Sequence, residues 1–278
     1  MNRQELKEWL IRIKDNNYAV PEGAKPDKLS LSMLEHIGDT DMELRDSLIL
    51  PTLSEWIINH TLPSDEVISL LQTALDEQHL LLGLGEEGDN VFCRTFCAEV
   101  IACIIYRHRQ EAFLSEQDVR NAFQTLIGFY NGDRDVRGYV YGKGWAHGAA
   151  HGADALDEFA RCEEIGCEGL REILKAIYKK VNTGCYGYIH FEDERMITAV
   201  EAVLDRKVLP SEEVTAWIRS FCRIEKTGED HENLVKEFNI NVFLKSLYFR
   251  LVDQPEYRPY AEAAKESIKE INRFIKKQ

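Results

Sequence analysis

Residues 144–162 read Gly144-Trp-Ala-His-Gly-Ala-Ala-His-Gly-Ala-Asp-Ala-Leu-Asp-Glu-Phe-Ala-Arg-Cys162. Set on an α-helix at about 100° per residue, Trp145, Ala149, Ala153, Leu156, Phe159 and Ala160 share roughly a third of the circumference, the width of a core-facing stripe. His147, His151, Asp154 and Glu158 fall on the opposite side. The same three-and-four spacing of apolar residues recurs through nearly the whole chain, and strictly alternating segments are almost absent, so the period predicts an all-α protein.

Helices are predicted over 2–15, 27–37, 42–60, 64–82, 90–111, 116–130, 143–162, 167–181, 191–206, 211–226, 230–253 and 257–276, about twelve in all. Pro51 lies inside the third of these and predicts a bend, because proline lacks the amide and crowds the preceding turn. Ser64, Ser115 and Ser211 each stand before first-turn acids and predict N-caps. Twelve helices of this length, joined by short polar loops, fit stacked antiparallel pairs of about 46 residues, a HEAT/ARM-like superhelix. A globular α-bundle is the alternative, since no repeat consensus is visible. Residues 1–278 are expected to form a single all-helical domain, with the Gly-rich stretch 128–144 as the place where it could divide into halves.

Composition narrows the function classes. With 44% hydrophobic and 29% charged residues the chain of 278 can bury a sizeable core, which argues against disorder. The net charge of −14 disfavours binding to a nucleic-acid backbone. The short basic clusters Arg107-His-Arg109 and Lys276-Lys277 read as solvated helix ends. Seven cysteines, an odd number, suit a reducing compartment. Cys93 and Cys97 share a helix face, which could support a metal or redox pair but reads first as small buried thiols. The N-terminal stretch MNRQELKEWLIRIKDNN is a charged amphipathic helix without a signal core, and the most apolar stretch, Ala98 to Tyr106, falls short of the roughly 18 residues that a membrane span needs. A cytoplasmic protein with no membrane and no nucleic-acid partner is expected; oligomeric state is not legible.

A histidine pair at i and i+4 with an aspartate one turn further can place two imidazoles and an oxygen on one metal ion, or a histidine beside an orienting acid. The glutamate of a His-Glu-x-x-His metalloprotease is missing. Gly144, Gly148 and Gly152 recur every fourth residue, and each interior one costs about 1 kcal/mol of helix propensity relative to alanine. They predict a close approach by a neighbouring backbone or by a ligand. Just upstream, Asp133-Arg-Asp135, Arg137, Tyr139, Tyr141 and Lys143 alternate with Gly132, Gly138 and Gly142, a loop suited to an anion at a helix start, though not a Walker loop.

The leading reading is a groove lined by Arg137, Tyr139, Lys143, Trp145, His147, His151 and Asp154, taking a small polar or anionic ligand or a partner protein segment. The alternatives are a metal-dependent hydrolase with His147, His151 and Asp154 holding a divalent metal and Glu158 or another acid as base, and an interaction scaffold without a small-molecule site. Catalytic residues are unassigned, since no nucleophile elbow, nucleotide fingerprint or cysteine signature is present. Arg45-Asp46 and Arg94 read as ion-paired structural residues. Asp193 and Glu194 read as first-turn acids, and His190 has no assignable partner. Asn239-Ile-Asn241 and Tyr248-Phe-Arg250 could complete a pocket if the fold brings them round.

The combination Ile37-Gly-Asp-Thr-Asp-Met-Glu-Leu-Arg-Asp46, Trp56-Ile57, Val91-Phe-Cys-Arg94, Arg137-Gly-Tyr-Val, Gly142-Lys-Gly-Trp-Ala-His147 and Ala150-His-Gly-Ala-Asp154 resembles the bacterial family catalogued as domain of unknown function 2785. The resemblance covers most of the chain. It implies an all-helical fold and carries no activity.

Overall fold

All twelve helices form among the residues described by this computed structural model, which are 1–224, 226 and 228–275. They are α1 (Arg3–Asp15), α2 (Pro26–Glu35), α3 (Leu50–Ile58), α4 (Ser64–Ala74), α5 (Asn90–Gln110) and α6 (Glu116–Gly132). There follow α7 (Gly148–Ala160), α8 (Cys167–Val181), α9 (Glu192–Asp205), α10 (Ser211–Ser220), α11 (Asp230–Leu251) and α12 (Arg258–Ile271). The protein is all-α, about 66% helical.

One row of neighbours runs α3, α5, α7, α9, α11, each packed on the next, while α4 packs on α5, α6 on α7 and α8 on α9. The sequence accounts for the centre of that row. In α5 nearly every residue from Val91 to Ile105 is buried, and a helix apolar all round belongs in an interior. In α7, Ala149, Ala150, Gly152, Ala153 and Ala155 are all buried, and such small residues let α5 and α9 approach it from two sides. One large hydrophobic cluster runs from Leu6 in α1 to Ala264 in α12, and a small second one joins Val91, Phe92 and Ala146. No helix among the described residues is long and apolar enough to cross a membrane.

The main departure from the expected helices lies at the entry to α7. Tyr139–Val140 pairs antiparallel with Gly144–Trp145, so the predicted helix 143–162 begins only at Gly148. The ladder continues through Ala146 N–H to Gly138 O and His147 N–H to Arg137 O, both 2.9 Å. Alternating aromatic and β-branched residues around a Gly-Lys-Gly turn favour a hairpin, and Gly144 sits at φ +84°, where side-chain-bearing residues are strained. The helical-wheel placement of Trp145 and His147 is therefore wrong, although Ala149, Ala153, Leu156, Phe159 and Ala160 do face the core.

The recurring glycines are answered by protein. A Cβ on Gly144 would meet Met42, Arg45 and Asp46 at 2.7–2.8 Å, and one on Gly152 would lie 2.7 Å from Cε2 of the buried Tyr130 ring. Gly152→Ala is therefore expected to destabilise by about 1 to 2 kcal/mol, overpacking outweighing the gain of about 1 kcal/mol in helix propensity. Thermal unfolding checks this, and an unchanged or higher Tm would mean that the Tyr130 ring yields freely.

Other expectations shift locally. Where a bend was expected at Pro51, a π-helix, Glu43–Ile49, runs directly into α3, with the proline in the first α-helical turn. The predicted helix 64–82 stops at Ala74; beyond it, turns lead to Gly83, Gly85 and Gly88, all at positive φ. Ser115 is the expected N-cap and makes a capping box with Asp118, whereas Ser64 and Ser211 are the first residues inside their helices, behind Pro63 and Pro210, and make no cap bond. Arg107 and His108 are buried rather than solvated. Arg107 donates to Ile57 O at 3.2 Å and Leu62 O at 2.7 Å, and His108 Nδ1 accepts from the amides of Phe113 and Leu114. Lys276-Lys277 lies outside the described residues. Cys93 and Cys97 are buried free thiols, as expected.

Candidate functional site

Helices α5, α7 and α9 bring their polar residues together near the entries of α7 and α9. From α5 comes Glu99, from α7 His151 and Asp154, and from α9 Glu192 and Arg195; the loops before α7 and α9 add Trp145, His147 and His190.

The hairpin sets the first of these side chains. Arg45 is wholly buried against the rings of Phe92 and Phe96, with its guanidinium carbon 4.2 and 4.7 Å from their centroids. It donates to Lys143 O at 2.7 Å and Asp39 O at 2.6 Å and pairs with Asp46 at 2.7 Å, which pins the hairpin to the π-helix. Trp145 stacks on the His147 ring at 4.7 Å, and His190 meets Trp145 edge-on at 5.3 Å. The His147 and His151 rings lie 5.5 Å apart, and His151 packs edge-on against Phe96 at 5.0 Å. His147 and Phe191, the N-cap residues of α7 and α9, both hold left-handed backbones, at φ 53° and 64°. Each costs on the order of 1 kcal/mol, and strain of this kind concentrates at functional positions.

Ionic contacts tie the cluster together. His147 Nε2 is 3.5 Å and His190 Nδ1 3.8 Å from Glu192 Oε1, while His151 Nε2 is 3.6 Å from Glu99 Oε1. Arg195 grips both oxygens of Asp154 and reaches Glu99 at 3.1 Å. Three buried atoms nevertheless make no well-formed hydrogen bond: His147 Nε2 and Glu192 Oε1, which meet only at 3.5 Å, and His151 Nδ1. Burial pushes the His151 ring down to about 4, against the pull of Glu99, so the ring is neutral at pH 7. Burial alone would raise Glu192, but His147 beside it and the amides of Glu192 and His190 outweigh that, and its carboxyl lies below the usual range.

The structure thus gathers Trp145, His147 and His151, with Tyr139 at the rim, edge-on to Trp145 at 5.1 Å. Asp154 joins only through Arg195. Arg137 and Lys143 do not face this cluster, being held by Asp135 at 2.5 Å and Asp89 at 2.7 Å, so the expected anion loop neutralises itself. Glu158 is held by Arg109 at 2.7 Å, which takes it away from the role of base. Among the described residues no three His, Cys, Asp or Glu side chains gather in a way that could hold a metal ion.

Arg45-Asp46 and Arg94 are ion-paired, as the sequence predicts, and the partner of Arg94 is Asp133. Asp193 and Glu194 stand in the first turn of α9. Asn239 holds the loop before α9, accepting from Tyr188 N–H at 2.9 Å and donating to Thr183 O and Tyr186 O. Arg250 is spent on Glu194 and Glu201.

Residues 80–249 match the family described as a protein of unknown function, DUF2785. The chain belongs to this family. The region shared with the family runs from before α5 into the end of α11, so it contains every member of the cluster from Glu99 to Arg195, while α1 to α4 and α12 lie outside it. No curated protein and no solved structure matches the chain.

Three members of the cluster, Glu99, Glu192 and Arg195, escape the sequence reading. Glu99 had a signal: it is an acidic side chain inside the most apolar helix, where a polar group calls for a partner or a function. Glu192 and Arg195 had none, since Glu-Asp-Glu-Arg at a helix start reads as ordinary dipole chemistry.

Proposed function

We propose that this protein is a helical-stack binding protein whose site for a small polar ligand lies between Glu192, His147 and His151, under Trp145. The observation that carries the reading is the set of three buried polar atoms on the facing ends of α7 and α9 that make no well-formed hydrogen bond, two of them left 3.5 Å from each other. Each such atom costs about 1 to 3 kcal/mol, which a ligand able to donate to Glu192 and pair with the imidazoles would recover. The aromatic rings of Trp145, His190 and Tyr139, packed edge-to-face beside these atoms, would border the apolar part of such a molecule. The order of packing along α3, α5, α7, α9 and α11, with α4, α6 and α8 each joined to the helix that follows, supports antiparallel pairs of the HEAT type acting as one unit.

The test is a thermal-shift and tryptophan-fluorescence screen of amino acids, sugars and organic acids against wild type and Glu192→Gln. A ligand that quenches Trp145 in wild type is expected to bind at least about tenfold more weakly to the variant, a loss of one charge-assisted hydrogen bond. A crystal structure with ordered waters pairing all three atoms, and no compound that distinguishes the two proteins, would sink the reading.

A further inference from the structure

We infer that the cavity between the C-terminal ends of α6 and α8 is a second site, one that binds a small oxyanion, a phosphate or carboxylate group carried by a small molecule. The cavity measures about 730 Å³ and is lined by three cationic side chains, Arg134, Lys179 and Lys180. That volume is in the range of small-molecule sites. None of its lining residues belongs to the His147 cluster, so this inference does not rest on the function proposed above.

Lys180 is the decisive residue. Its side chain is almost wholly buried, yet it forms part of the cavity wall. Its ammonium has one oxygen acceptor, Asp133 O at 3.1 Å, and otherwise lies 4.7 Å over the ring of Tyr130. An ammonium carries three N–H donors, so one carbonyl and a ring face leave it under-bonded. Burial pushes the group down to about 8, against the pull of Asp133. An anion in the cavity would supply both the missing acceptor and the missing charge.

The other lining groups agree. Arg134 is exposed and has no ion pair among the described residues, and Lys179 spends one donor on Asn131 O at 2.8 Å. Capping of the last carbonyls of α6 explains one bond from each lysine. It does not explain why one ammonium is buried at the wall of a large cavity. Of the acids on the wall, Asp133 has its Oδ1 held by Arg94 at 2.8 Å, and Glu87 is also present. The cations outnumber them. Arg134 comes from the segment that the sequence reading marked for an anion; the useful cation there is Arg134, with Arg137 and Lys143 already paired.

The experiment is calorimetric titration of the full chain with inorganic phosphate and, separately, with succinate, at pH 7 and constant ionic strength set with chloride. Saturable binding of at least one is expected, and which one identifies the head group. Arg134→Ala, a change at an exposed residue, and Lys180→Met are each expected to weaken it by about tenfold, while the exposed Lys175→Ala leaves it unchanged. Should Lys180→Met fail to fold by circular dichroism, Arg134→Ala decides. The inference is overturned if neither anion binds below about 20 mM, a free energy of less than roughly 2.3 kcal/mol, if Arg134→Ala binds like wild type, or if Lys175→Ala weakens binding equally.

Discussion

Arg94→Ala is expected to lower the free energy of unfolding by about 3 to 5 kcal/mol, a large fraction of what holds a domain together. The guanidinium is fully buried and donates to Leu82 O at 2.8 Å, Gly83 O at 3.2 Å, Glu86 O at 3.2 Å and Asp133 Oδ1 at 2.8 Å. Removing it strands a carboxylate whose side chain is only 2% exposed, together with the carbonyls of the segment between α4 and α5. Arg94→Met keeps much of the stem's packing and removes only the charge and the donors, so a loss nearly as large as in the alanine variant would assign the cost to the polar network. Arg94→Lys cannot reproduce a fork that serves four acceptors and is expected to fall between wild type and methionine. Urea unfolding of the three variants measures this. A loss under about 1 kcal/mol in all of them would mean that water or a shift of Asp133 replaces the network.

That network also shows why part of the fold was legible and part was not. The helices follow from apolar period, because each helix is stabilised mainly by burying one face, and α8 and α9 begin within a residue of the predicted starts. The segment after Ala74 carries the same apolar spacing as a helix, yet it is shaped by Arg94, which binds its carbonyls from about ten residues downstream. The entry to α7 fails for a related reason. Trp145 and His147 fit a helical wheel, but the hairpin is held by Arg45, about 98 positions away from Lys143 in sequence. Local periodicity cannot register a tie of that length. At the candidate site the histidines are legible by their spacing, while their acidic partners come from other helices and are set by packing. The glycines mark close approach, but at Gly152 and Gly144 neither the expected backbone nor a ligand approaches: side chains do, the Tyr130 ring at Gly152 and Met42, Arg45 and Asp46 at Gly144.

Lowering the pH from 7 to 4 is expected to remove about 3 kcal/mol of stability through His151 alone. The ring is buried and is pushed down to about 4, whereas in the unfolded chain it titrates near 6.5. Between those values the unfolded chain takes up a proton that the folded protein refuses, so the contribution is fully present above about pH 6.5 and is lost as the pH falls toward 4. Glu192, held below the usual carboxylate range, adds a loss of the same sign at lower pH, where the unfolded carboxyl is protonated and the folded one is not. The two windows are separable: His151→Asn should flatten the profile between pH 6.5 and 4 and leave the steeper acid limb, while Glu192→Gln should do the reverse. Urea midpoints collected at half-unit pH steps give the comparison. If wild type and His151→Asn ran parallel from pH 7 to 4, the ring would have to be protonated or hydrated inside the fold, and the neutral imidazole that the proposed ligand site requires would be absent. A neutral His151 whose Nδ1 has no partner is a hydrogen-bonding atom held ready at physiological pH, and the acid sensitivity of the fold is the energetic consequence of keeping it so.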